Sequence, residues 1–238
     1  MSIYEAKSVT EVLVWNTYPG RGILIGMTPD GRHAVAAYFI MGRSVNSRNR
    51  VFTRKEGAIF TEAFDPALVK DPSLIIYAAL RQYQNHLIVT NGDQTDTIYE
   101  GYQAGKSFEE SLRSREFEPD APNFTPRISG VLHFGRSFSY EMSILKSVDE
   151  EGSACARYHF AYPSKAGLGH FIHTYVCDGN PLPSFQGEPE RIAMENDIEE
   201  FSEKMWEALD ANNKISLYVC YIDVKTGTTQ DKLFNKNV

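Results

Sequence analysis

From residue 128 to residue 177 the chain offers four strand-like segments in succession, 128–134, 138–146, 154–160 and 170–177, with no helical interval between them. Turn-forming stretches such as Asp149-Glu150-Glu151-Gly152 and Asp178-Gly179-Asn180-Pro181 separate them, which is the pattern of hairpin-linked strands. The first half repeats the theme. Residues 23–26 suit a buried strand, Thr28-Pro29-Asp30-Gly31 a turn with Pro at its second position, and residues 34–41 the returning strand. Residues 51–54 and 58–64 form a second hairpin pattern around Lys55-Glu56-Gly57, residues 86–90 a short strand, residues 215–222 a last buried one, and residues 9–15 a further strand-like run. Helical spacing is confined to three places. Ile75, Ile76, Ala79 and Tyr83 fall near one face over 72–83, Ser107-Phe108-Glu109-Glu110 is a capping box opening a helix to about residue 115, and Ile198, Phe201, Met205 and Leu209 stripe a helix over 192–209. The polar tail after Lys225 is expected to fray. The pattern predicts an α+β chain of stacked, mainly antiparallel sheets flanked by helices. It contains no βαβ alternation and no Gly-rich phosphate fingerprint, which excludes a Rossmann fold or a P-loop.

Composition narrows the partners. The 238 residues carry a net charge of −7, which argues against nucleic acid or an anionic membrane surface. An anionic ligand would need a local basic cluster. Cys155, Cys177 and Cys220 form no Cys-x-x-Cys pair, so neither a disulfide framework nor a zinc site is expected. His170 and His173 are three apart, on opposite faces of a strand, so they make no metal pair. No stretch approaches the ~18 apolar residues of a membrane span, and residues 1–14 lack a basic-then-apolar leader. The expectation is a cytoplasmic protein without a metal, and composition is silent on whether it forms a homo-oligomer.

The densest polar stretch follows the strand at 87–90: Asn91-Gly92-Asp93-Gln94-Thr95-Asp96-Thr97. Asn-Gly turns easily because both residues tolerate positive φ. Its side chains either cap the turn and the following helix or present a polar lip to a ligand. Residues 42–50 hold Arg43, Arg48 and Arg50 among small polar residues, either a solvated loop or an anion cradle, since guanidinium forks match phosphate bidentately. Tyr18-Pro19-Gly20-Arg21-Gly22 delivers another arginine between glycines. Pro119, Pro122 and Pro126 stiffen a loop carrying Glu118, Asp120 and Arg127, which suits either a linker or a rigid mount for charged groups.

Taken together, Tyr18-Pro19-Gly20-Arg21, the Arg43–Arg50 loop, Asn91-Gly92-Asp93-Gln94-Thr95-Asp96-Thr97-Ile98 and Thr125-Pro126-Arg127-Ile128 resemble, in order and spacing, the archaeal-type IMP cyclohydrolase family. The resemblance covers residues 18–128 best. It implies one domain over 1–238 with a four-layer αββα fold like that of the N-terminal-nucleophile hydrolases. It also implies ring closure of 5-formamidoimidazole-4-carboxamide ribonucleotide to IMP, a purine-pathway reaction that needs no cofactor. Tyr77, Glu118, Arg127 and Asp96 are the implied catalytic set, and Arg21, Arg43, Arg48, Arg50, Asn91, Gly92 and Thr95 the implied substrate-binding set. Two other readings stand beside it: a nucleotide-binding protein without catalysis, and an amidohydrolase with Ser2 as terminal nucleophile.

Overall fold

The computed structural model describes residues 2–69 and 75–238. The chain opens with helix α1 (Val9–Leu13), then strands β1 (Arg21–Met27) and β2 (His33–Met41), a one-turn helix α2 (Val45–Arg48), and the hairpin β3 (Val51–Lys55)–β4 (Ala58–Glu62). Strands β5 (Tyr77–Tyr83) and β6 (His86–Thr90) follow, then helices α3 (Gln94–Gln103) and α4 (Phe108–Ser111). Strands β7 (Arg127–His133), β8 (Ser139–Ser147), β9 (Cys155–Pro163), β10 (Leu168–His173) and β11 (Glu190–Ala193) lead to helix α5 (Ile198–Ala208) and the closing pair β12 (Lys214–Asp223) and β13 (Thr229–Asn235).

The strands form two sheets whose ladders are antiparallel throughout. One runs β11-β10-β1-β2-β12-β13; the other is a seven-strand meander from β3 to β9. Alternation explains how they stack. Ile23 and Ile25 of β1 and Ala34, Ala36, Tyr38 and Ile40 of β2 pack with Val89, Ile128, Leu132, Tyr140 and Ile144 of the meander in one inter-sheet core. The intervening residues Leu24, Val35, Ala37 and Phe39 turn the other way, onto α1 and α5. β1, β2 and β12 are thus buried on both faces, which is why they are almost continuously apolar. On the meander's outer face, Ile88, Val131 and Leu145 meet Ile98 of α3 and Phe108 of α4.

Four expectations change. Residues 77–83 are strand β5, not part of a helix; residues 72–74 of that expectation lie outside the described residues. The ladder shifts register between Ile59 and Phe60, so both Ala79 and Leu80 reach the inter-sheet core, and this break in alternation imitates a helical stripe. Residues 9–13 are a capped helix, because Ser8 and Glu11 close a reciprocal capping box. The amphipathic segment at 192–209 splits. Its first residues pair with β10 as β11, and the helix starts only where the Asp197 side chain accepts from the Glu199 and Glu200 N–H groups. The tail does not fray: β13 pairs with β12 from Thr229 to Asn235. His170 and His173 do take opposite faces, His170 accepting or donating to Tyr140 across the sheets and His173 stacking on Phe171. Among the described residues no helix is long and apolar enough to cross a membrane.

The sheets approach closely where Gly130 of β7 crosses β1. A Cβ there would stand 2.5 Å from Ile25 Cδ1. Gly130→Val should therefore cost about 1–3 kcal/mol by overpacking, read as a melting temperature lower by roughly 2–4 °C per kcal/mol.

Candidate active site

Strand termini from both sheets meet at one edge. Arg21 opens β1 beside the end of β2, and Tyr77 opens β5; β6 ends at Thr90 beside the start of β7 at Arg127. The Asn91–Thr95 turn holds this edge together by internal bonds. Asn91 Oδ1 accepts from Ile128 N (2.9 Å) and Gln94 Nε2 (2.9 Å), while its Nδ2 donates to Pro126 O (2.9 Å). Thr95 Oγ1 lies 2.6 Å from Thr90 Oγ1 and is fully buried. Asn91 and Thr95 are thus fastened to the protein on these sides. Gly92 has the same kind of role: a Cβ there would meet Arg127 Nη1 at 2.6 Å, so only glycine lets that guanidinium pass. Arg127 Nη1 donates to Asp93 Oδ1 (2.7 Å) and Gln94 Oε1 (2.8 Å). Asp93 occupies the N-cap of α3 but makes no side-chain cap bond; it answers Arg127 and Arg115 instead.

Beside this turn, Arg21 and Glu118 form a buried ion pair, Nη2 to Oε1 2.8 Å. Gly20 before it has φ of +78°, and a Cβ would run into Thr174 and Tyr175, so the chain enters β1 where only glycine fits. Arg21 N donates to Thr174 Oγ1. Its Nε is buried without an acceptor. The Tyr175, Tyr77 and Tyr38 hydroxyls are its electrostatic neighbours. Tyr77 and Tyr38, one from each sheet, share a hydroxyl–hydroxyl hydrogen bond of 2.8 Å in the buried core. Burial pushes the Glu118 carboxyl above its usual range, with Arg21 and then Arg127 pulling it back.

A cavity of about 240 Å³ reaches the pair through Arg21, lined also by Tyr18, Arg43, Ser44, Ser47, Arg50, Asp120, Asn123, Thr125 and Tyr175; Glu118 and Tyr77 lie behind its wall. Arg50 is buried and donates to Ser47 O (2.8 Å) and Met41 O (3.2 Å). Arg43 sits at the mouth, bonded to Asp178 and over the Tyr18 ring. The arginine loop therefore delivers two of its three arginines to the cavity. Arg48 does not reach it. Its Nε donates to Gly42 O and its Nη2 to Asn213, a brace within the loop. Asp96 also lies elsewhere: it is half exposed and paired with Arg81, because its position on α3 points away from the strand ends. Ser2 is exposed and lines no part of this cavity. Among the described residues no group of three or more His, Cys, Asp or Glu could hold a metal ion.

Tyr38 and Tyr175 were not assigned from sequence, and Asp120 only as a charged group on the proline-stiffened loop. Tyr38 had a signal, since it is the one polar-tipped residue on the inward face of β2. Asp120 accepts from Thr125 N (2.6 Å) and Thr125 Oγ1 (2.5 Å), and that hydroxyl meets Tyr175 OH at 2.5 Å. Tyr175 in turn stacks on Tyr18. This chain ties the Glu118 loop to the other sheet. Thr125→Val keeps the shape but removes both hydroxyl bonds, so stability should fall by about 1–3 kcal/mol, measured by chemical denaturation.

The chain is similar to known proteins over most of its length. A family model described as IMP cyclohydrolase-like protein matches residues 18–227. A protein of Methanopyrus kandleri named IMP cyclohydrolase is 32% identical over 183 residues, 71% of this chain and 89% of that protein. One of Methanosphaera stadtmanae with the same name is 32% identical over 121 residues, 49% of this chain and 58% of its own length. One of Methanococcus aeolicus is 26% identical over 164 residues, 67% and 75%. The chain belongs to the IMP cyclohydrolase-like protein family.

Proposed function

We propose that this chain closes 5-formamidoimidazole-4-carboxamide ribonucleotide to IMP with release of water, as a cytoplasmic enzyme of purine biosynthesis. The observation that carries the reading is the buried Arg21–Glu118 pair, with the Tyr38–Tyr77 hydroxyls close by, under a cavity rimmed by Arg43 and Arg50. Family membership supports it. The helices against the outer face of each sheet also support a single domain with a four-layer αββα order of the N-terminal-nucleophile hydrolase kind.

In ring closure the carboxamide nitrogen attacks the formyl carbon and its proton passes to the formyl oxygen. The resulting hydroxyl then leaves as water, taking the proton of the former formamide nitrogen. An amide nitrogen is a weak nucleophile, so the formyl group must be held in near-attack geometry and its oxygen must receive donors as charge develops. Arg43 and Arg50 hold the phosphate, with the Ser44 and Ser47 hydroxyls as neutral partners. Tyr77 donates to the formyl oxygen, and Tyr38 fixes the direction of that hydroxyl. Glu118 carries the proton from nitrogen to oxygen, and Arg21 keeps it ionised despite burial. Arg127, held by Asp93 and Gln94, is a fixed positive charge beside Glu118. Incubating the protein with the formamido nucleotide and following the absorbance of IMP tests the reading. Tight nucleotide binding with no IMP formed would leave a binding protein instead.

Tyr77→Phe should keep the fold and lower kcat by about 10²–10³, with substrate affinity barely changed because the contact strengthens only in the transition state. Normal turnover with a lowered melting temperature would return Tyr77 to a packing role.

Glu118→Gln should lower kcat by about 10²–10⁴. In the wild type, activity should fall on acidification through a value above the ordinary carboxylate pKa of about 4.3, since burial raises the Glu118 pKa. The same shift gives stability the opposite slope. A carboxyl whose pKa is raised by folding favours the fold at low pH, and that contribution is lost as pH rises through the folded value. A pH–rate profile with its acid limb at or below the ordinary carboxylate value would remove Glu118 as proton carrier.

A further inference from the structure

On the far side of the Glu118 loop lies a second cavity, of about 400 Å³, which shares no lining residue with the first. Four arginines line it, Arg113, Arg115, Arg127 and Arg157, with two carboxylates, Asp93 and Glu116. This clustering occurs in a chain of net charge −7. Packing does not account for it. Arg115 and Arg127 share the carboxylate of Asp93, with Glu118 near Arg127 alone. Arg157 spends Nη1 on the carbonyl oxygens of Leu112 (3.2 Å) and Arg115 (2.5 Å). Among the described residues no ion pair involves Arg113 or Arg157. Like charges brought this close repel unless an anion joins them, and planar forks are suited to one with several oxygens.

We propose that this cavity is a second anion site, which takes a phosphate dianion, free or carried by a nucleotide. Its volume falls in the range of small-molecule sites. Phe117, set edge-on against Phe124, lines it as well and offers a ring against which a base could stack. The site communicates with the first cavity through one residue. Arg127 lines the second cavity, and its charge is the next after Arg21 to pull down the Glu118 pKa. An anion bound there offsets the charge that Glu118 feels.

Calorimetric titration with inorganic phosphate tests the proposal, in the double variant Arg43→Ala/Arg50→Ala so that the first cavity is disabled. One phosphate should still bind. Adding Arg113→Glu should weaken that binding about tenfold or more, the loss of one charge-assisted contact. Arg113 has no ion-pair partner to lose, so the melting temperature without phosphate should stay unchanged; a further variant, Arg157→Lys, should weaken phosphate binding in the same direction. Titration with AMP in the same background separates the two sources. Binding tighter than phosphate, and returned to the phosphate value by Phe117→Ala, identifies a nucleotide; equal affinity identifies the free anion. No phosphate bound in the double variant, or affinity indifferent to Arg113→Glu, overturns the proposal.

Discussion

The structure turns on a buried charge pair. Removing Arg21 and Glu118 from water carries a desolvation penalty of several kcal/mol per ion, which their attraction offsets only when geometry is held closely. Much of the surrounding architecture supplies that geometry. Gly20 and Thr174 set where β1 begins and hence where the Arg21 stem leaves the sheet. Glu118 N donates to Thr125 O across the loop, and Asp120, Thr125 and Tyr175 bind that loop to the opposite sheet. A pair placed so deeply is poor evidence of a stabilising device, because apolar residues of the same volume would often fold as well or better. One member of the pair, Arg21, lines an open cavity.

The antiparallel topology decides where that cavity can lie. In such a sheet the start of one strand neighbours the end of the next, so residues far apart in sequence gather at one edge. Arg21 pairs with Ile40 in the first sheet, and Thr90 with Ser129 in the second. Because the two sheets stack through one core, these edges coincide, and Tyr38 from one reaches Tyr77 from the other. The arginine loop follows directly from the end of β2 and folds back as α2, which turns Arg43 and Arg50 toward the same opening. The site is thus the place where five strand ends and two loops meet.

Some of this was legible in the sequence. Hairpin strands such as residues 34–41, apolar throughout because both faces are buried, and 128–134 declare themselves. β5 did not, because its register shift against β4 puts consecutive residues into the core and its pairing partners lie outside any local window. α1 was lost to a short apolar run whose decisive signal is the Ser8–Glu11 box rather than its period. In the site, the residue types were readable and the roles were not. Arg43, Arg48 and Arg50 look alike in sequence, yet one caps its own loop while two face the cavity. Which does which depends on where Asn213 and Asp178 arrive from more than 130 residues away.

The Asn91–Asp96 stretch carries this lesson furthest. It is the most polar run near the site, and polar residues at a strand end invite assignment to the ligand. In the structure Asn91, Thr95 and Gln94 make hydrogen bonds inward, splicing β6 to β7. What that splice produces is a fixed position for Arg127, admitted by the missing side chain of Gly92 and pinned by Asp93. Arg127 then acts at a distance on Glu118. A buried, fully bonded turn makes a better foundation than a flexible one, because a guanidinium that must hold a carboxylate's pKa cannot itself wander by an ångström without changing it. The turn therefore fixes a charge beside Glu118 without lining the first cavity. Arg127 also lines the cavity that holds Arg113, Arg115 and Arg157, so the same turn fixes one of its charges.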